Sequence, residues 1–179
     1  MINECSVHAK PKNNNAKILF GVLLAAALVL MIVSRIIDLY KGVLALCGIV
    51  FLTASVLVYT RYIGASYYYD ITSDSEGYPL FVVRQLVGNR YSTLCRIGLN
   101  EITSINRETA AERNAHKTPY GTRRYVYLAT LGVEVSYRLI TKSRYESSEI
   151  IIEVSDEYAS LLSGYVDEAK TIVIEDDEY

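Results

Sequence analysis

Two hydrophobic periods divide the chain. From Ile18 to Val33 it reads ILFGVLLAAALVLMIV, sixteen residues without a polar side chain, and from Gly42 to Val58 it reads GVLALCGIVFLTASVLV. A bilayer core about 30 Å thick takes about 20 helical residues. Both runs reach that length with their flanks, over about 18–37 and 42–62. Each is expected to be a transmembrane helix. The connecting RIIDLYK is too short for a domain, so residues 17–63 are read as a helical hairpin whose two ends lie on one side, behind an N-terminal tail of residues 1–16. A cleaved signal peptide is the rival reading, but no small-x-small site follows the first run and a second span comes at once.

After Gly64 the period falls to two. Tyr67, Tyr69 and Ile71 alternate with Tyr68, Asp70 and Thr72, the pattern of a strand. SDSEG is then a turn, YPLFVVRQLV a second strand paired with the first, and GNR another turn. YSTLCRIGL and NEITSINR give a third and a short fourth strand. The segment ETAAERNAHKTPYGT is polar and carries nothing that reads as core. Beyond it RRYVYLATL, VEVSYRLIT and EIIIEV are strands, with Tyr125, Tyr127 and Tyr137 as core positions or an aromatic surface. In SDEYASLLSGYVDEAK the residues Tyr158, Leu161, Leu162, Tyr165, Val166 and Ala169 share one helical face, predicting a helix over 156–169 capped by Ser155 or Asp156. The remainder, 171–179, is an acidic tail in which Ile172 to Ile174 could add an edge strand.

About seven strands closed by one amphipathic helix predict an α+β, mainly antiparallel domain over 64–170, a small barrel or split sandwich capped by its C-terminal helix. This element order, with the phrase CRIGLNEITSI as its strand-turn-strand passage, resembles the pleckstrin-homology-like fold. Two membrane spans followed by such a module resemble bacterial membrane-anchored PH-like proteins. The resemblance implies a non-catalytic binding module; the insertion at 108–122 departs from a minimal version of that fold.

Charge then orients the hairpin. Residues 1–63 carry six Lys/Arg against two acids, whereas the remaining 116 carry twelve against eighteen. Lys10, Lys12, Lys17 and Arg61 on the terminal side outnumber Arg35 and Lys41 in the turn, which places both ends and the domain in the cytoplasm, at the plasma membrane. Lys17, Arg35, Tyr40, Lys41, Tyr59, Arg61 and Tyr62 are the expected anchors at the two membrane surfaces. Gly21 and Ala25 form a small-xxx-small pair whose simplest role is to pack against the second span. An acidic domain is a poor nucleic-acid partner, so none is expected.

The chain carries no GxSxG, HExxH, P-loop or GxGxxG, and its histidines, His8 and His116, have no Cys or His at ligand spacing. Cys5, Cys47 and Cys95 suggest no pairing. No catalytic residue, metal or cofactor is expected. The one basic excess in the domain is RETAAERNAHKTPYGTRR, where Arg107, Arg113, His116, Lys117, Arg123 and Arg124 form a candidate anion- or partner-binding loop. The expected partners are the lipid bilayer, a protein or a second copy met in the membrane, and anionic lipid headgroups. The function expected is a membrane-anchored binding or scaffold module, with an accessory subunit assembled through its hairpin as the alternative. An enzyme would require a pocket gathering the scattered acids with His116 or Cys95.

Overall fold

The computed structural model describes residues 5–9, 14–37, 40–75, 77–143 and 146–176, with side chains through 171. It divides into two compact units, Pro11–Ala65 and a second made of Met1–Lys10 with Ser66–Tyr179.

The first unit is a pair of helices, α1 (Asn14–Ile36) and α2 (Lys41–Val58), the latter ending in a single π-turn at Tyr59–Ile63. Both are long and apolar enough to span a membrane. Their large side chains face outward: Ile18, Val22, Val29 and Ile32 on α1, Val43, Leu46, Ile49 and Val50 on α2. Small residues make the seam between them, Ala16, Ala27 and Ser34 against Gly48 and Ser55. At Gly48 a Cβ would stand 2.9 Å from Cγ of Met31 and 3.4 Å from the Ala27 carbonyl oxygen, so the helices approach closely there. Gly21 and Ala25 are not part of this seam: both are exposed, and a Cβ on Gly21 would meet nothing within 4 Å. The period of the helix sets the difference, since Ala27 lies about 100° per residue around from Ala25. Gly48→Ala is expected to cost little, because the Met31 side chain can turn aside, whereas Gly48→Ile should weaken the pair by about 1–3 kcal/mol. Resistance of the purified hairpin to unfolding by SDS measures both.

The second unit holds two four-stranded sheets. The first has the order β1 (Cys5–Ala9), β2 (Ala65–Ser73), β3 (Pro79–Val87), β4 (Arg90–Gly98). β1 lies within the segment expected to be an N-terminal tail, and corrects that expectation; it pairs antiparallel with β2, Cys5 opposite Ile71 and Ala9 opposite Tyr67. The strand before the first helix and the strand after the second are thus neighbours in one sheet, and the chain rejoins the sheet it left. Gly88, at φ +61°, forms the tight β3–β4 turn with Asn89.

The second sheet has the order β5 (Ile102–Thr109), β7 (Val135–Lys142), β8 (Ser147–Ile152), β6 (Thr122–Tyr127). β6 and β8 run parallel, the others antiparallel. The sheets do not close into a barrel. Between β5 and β6 lies the short helix α3 (Ala110–Ala115), and α4 (Asp156–Asp176) ends the chain's described part. Ile172 to Ile174 continue α4 instead of forming an edge strand, and of the expected helix face Leu161 is exposed while Tyr158, Leu162, Val166 and Ala169 are buried.

Alternation gives the core: Tyr67, Tyr69 and Ile71 of β2, Phe81 and Val83 of β3, Tyr137 and Leu139 of β7, Ile150 and Ile152 of β8, all buried with the α4 face. Tyr69 ties the layers together. Its hydroxyl donates to the Tyr127 carbonyl at 2.6 Å and accepts from the Glu153 amide at 3.3 Å, while its own carbonyl accepts from Tyr158 at 3.0 Å. Tyr69 is therefore a core residue whose polar end finds backbone partners, Tyr67 is a core residue whose hydroxyl accepts from the Gln85 side chain at 3.4 Å, and Tyr68 between them is half-buried on the opposite face.

Candidate functional site

The basic segment begins where β5 stops. Thr109 caps α3: its hydroxyl accepts from the Glu112 amide at 3.3 Å, and the Glu112 carboxylate takes the Thr109 amide at 2.8 Å and its hydroxyl at 2.9 Å. This reciprocal box is written in the sequence as T-A-A-E. The Thr109 donors hold the Glu112 carboxyl below its ordinary range. From the helix so started, Arg113 reaches back to Ser136 Oγ at 2.7 Å and to the Val133 carbonyl at 2.9 Å.

The segment then lies over the outer face of the second sheet. His116 Nε2 is 2.8 Å from Glu149 Oε1, and the Thr118 hydroxyl is 3.5 Å from Oε2 of the same carboxylate. Arg124 donates to the Arg113 carbonyl at 3.1 Å. Beneath, Glu108 accepts from Arg138 and from Ser136 Oγ. What reads as a polar loop without core is thus the cover that buries Glu108, Ser136 and Glu149. Glu149 is only 3% exposed, and its cover supplies the donors such a carboxylate needs.

Of the six residues of the candidate loop, five have partners within the chain. Arg107 lies 3.6 Å from Asp156, Arg123 lies 2.7 Å from Glu146, and Arg113, His116 and Arg124 bond to the sheet and to the segment itself. Lys117 is exposed and, among the described residues, has no such partner. Apart from Lys117, these cations are each held by a carboxylate, hydroxyl or carbonyl of the chain itself.

A cavity of about 450 Å³ remains beside them, lined by Asn106, Arg107, Glu108, Glu112, Ala115, His116 and Arg138. It does gather acids with His116, and Glu149 orients the imidazole from behind. Its side chains carry both signs, Glu108 bonding Arg138 within the lining while Arg107, Glu112 and His116 bond Asp156, Thr109 and Glu149 outside it, and no hydroxyl or thiol nucleophile lines it. Among the described residues no cluster of three or more His, Cys, Asp or Glu could hold a metal. Chemically the arrangement can accept and donate hydrogen bonds. Glu108, Ser136, Arg138 and Glu149 are hidden in the sequence because each sits at an alternating position that suits a solvated strand face equally well; the capping box is the one local signal available.

The expected membrane anchors divide between the helix ends. Lys17 and Arg35 are exposed on α1, Tyr40, Lys41 and Arg61 on α2 and its flanks, and Arg61 stacks over Tyr62 at 5.6 Å. Tyr59 packs its ring 5.6 Å from Phe20, and the Gly64 amide closes the π-turn on the Tyr59 carbonyl at 2.7 Å. One residue, Gly64, separates that turn from β2. No family model, curated protein or solved structure matches this chain.

Proposed function

We propose that the protein is a non-catalytic binding or scaffold module held at the plasma membrane by its helical hairpin, with the domain on the cytoplasmic side. The observation that carries this reading is the pairing of β1 with β2. The domain's first sheet is continuous in chain with both helices, through four residues before α1 and through Gly64 after the π-turn of α2. Two such short connections suit a module whose place of action is the membrane surface. The excess of Lys and Arg at the terminal ends supports the cytoplasmic orientation. Among the described residues, seven strands after the hairpin, interrupted by α3 and followed by α4, support the PH-like resemblance in element order, with two open sheets in place of a barrel.

A protein partner suits the domain better than headgroup capture by the basic loop. An anion there would have to displace Glu149, Glu146 or Asp156 from cations they already hold. A second reading, an accessory subunit assembled through the hairpin, is favoured by the exposed Gly21–Ala25 pair, whose small side chains would admit another helix closely.

Exchange of hairpins separates the two. Residues 14–63 are replaced by an unrelated two-helix hairpin, so that β1 stays in its sheet, and partners are isolated from the native membrane. A binding module keeps its partner set after the exchange; loss of every partner would overturn that reading and leave the accessory subunit.

A further inference from the structure

We propose that the outward face of the first sheet binds a small hydroxylated oxyanion, of the class of sugar acids and sugar phosphates, with Asp70 accepting from a hydroxyl and Arg96 holding the anion. The assignment rests on the binding-module reading and gives that module a small-molecule ligand.

It starts from an anomaly in β2. Tyr67, Tyr69 and Ile71 face the core, so Asp70 belongs to the opposite, outward set, yet it is only 4% exposed. Its Oδ2 accepts from Arg84 Nε at 2.5 Å. Its Oδ1 is buried with no hydrogen-bond partner. A buried carboxylate oxygen without a donor is costly, and such atoms mark places where a ligand or water completes the structure. Asp70 also borders open space. It lines two cavities, about 310 and 230 Å³, that share Asp70, Thr72 and Arg84.

The lining fixes the chemistry. Arg84 already compensates the Asp70 charge, and the carboxylate beside it raises the guanidinium's affinity for its proton. The bare Oδ1 is therefore served by a neutral donor, a hydroxyl. Arg96, opposite Val82 in the β3–β4 ladder, lines the larger cavity, is exposed, and its side chain makes no ion pair or hydrogen bond among the described residues. It leaves the site with one uncompensated positive charge and a planar fork suited to a carboxylate or phosphate. Thr72, Ser73 and Thr93 add hydroxyls, and the large apolar side chains are Val82 in the larger cavity and Ile71 in the smaller. An apolar ligand would find little to bury against, whereas a polyol with an anionic end matches each group.

The site is also held in shape. His8 stacks on Tyr68 with ring centroids 4.3 Å apart, Tyr68 meets Tyr91 edge-on at 5.6 Å, and Arg84 lies 5.9 Å over the Tyr91 ring. This ladder crosses strands β1, β2 and β4 and fixes the guanidinium that in turn fixes Asp70. A prearranged pocket loses less freedom when it binds.

The test uses the full chain in phosphatidylcholine nanodiscs and calorimetric titration with two matched pairs, glycerol 3-phosphate against methyl phosphate and gluconate against butyrate. In each pair only the first carries hydroxyls. The hydroxylated member is expected to bind at least about tenfold more tightly, Arg96→Gln to weaken both pairs by at least about tenfold, and Asp70→Leu to abolish the preference within each pair. Equal binding within the pairs, indifference to Arg96→Gln, or no binding of any of the four overturns the proposal. Should Asp70→Leu not fold, the comparison within pairs on the unaltered protein and the exposed Arg96→Gln variant decide the matter alone. Phosphatidylglycerol nanodiscs separate the sources: displacement of glycerol 3-phosphate assigns a lipid headgroup, and unchanged affinity a soluble ligand. The hairpin exchange reads partner retention by a different route, so either result can fail without the other.

Discussion

Glu108→Ala is expected to destabilise the domain by about 3–5 kcal/mol, among the largest losses available to a single surface-side residue. Glu108 is 4% exposed and receives Arg138, whose side chain is itself 12% exposed, together with Ser136 Oγ. Removing the carboxylate leaves a largely buried guanidinium without the counter-charge it is bonded to, and the Glu112 carboxylate, already bonded to Thr109, replaces it only in part. It also frees Ser136 from one of its two partners, the other being Arg113, and so loosens the tie that holds the insertion to the sheet. The loss comes from stranding a buried charge, which leads to a second expectation. Glu108→Leu with Arg138→Met removes both charges at similar volume and should recover most of the stability or exceed the original. Unfolding of the full chain in micelles, followed by the tyrosine near-ultraviolet circular dichroism that sixteen Tyr and no Trp make clean, reads both variants. A double variant no better than Glu108→Ala would mean that the pair acts through hydrogen bonds no apolar core can replace.

That network shows where the sequence is legible and where it is not. The two helices are legible because an uninterrupted apolar run of membrane length seldom occurs outside a bilayer, and α1 and α2 fall where those runs lie. β2, β3, β7 and α4 are legible for a similar reason: alternation or helical spacing set by burial of one face is a local signal. β1 is not. Its five residues, CSVHA, carry no strong period, and they become a strand only because β2, some sixty residues and two helices later, offers an edge. The parallel β6–β8 pair likewise depends on a partner beyond the next strand. TIVI at the C-terminus carries β-branched residues and reads as a strand, yet it follows a helix already propagating, where adding a turn is easier than starting a new strand. The candidate loop stands out as a basic segment, but its use is hidden. Charge in sequence does not reveal whether Glu149 or a ligand will face His116, because both leave the same pattern.

Tyr69→Phe is expected to be less stable than the unaltered protein at neutral pH and to lose that disadvantage in alkali. At pH 7 the change removes the donor to the Tyr127 carbonyl and the acceptor of the Glu153 amide, both inside the fold, at a cost of about 1–3 kcal/mol. Above pH 10 a second effect opposes it. Burial raises the Tyr69 and Tyr158 hydroxyls well above the ordinary phenol value, so the folded chain keeps protons that the unfolded chain gives up. Below about 10 both states are protonated and the full stability is present. As pH rises beyond that value the unfolded state binds fewer protons, and each buried tyrosine withdraws about 1.4 kcal/mol per pH unit until the folded value is reached. Tyr127, half-buried and pushed up to about 12, adds a smaller share screened by solvent. Two fully buried tyrosines therefore give a slope near 3 kcal/mol per pH unit, and Tyr69→Phe halves it. The two stability curves should meet about one to two pH units above 10 and cross there, the variant becoming the more stable protein. Denaturant titrations at pH 7, 10, 11 and 12 measure both slopes. Parallel curves would show that Tyr69 ionises as readily in the fold as out of it, and that its hydroxyl does not link β2 to Tyr127 and Glu153.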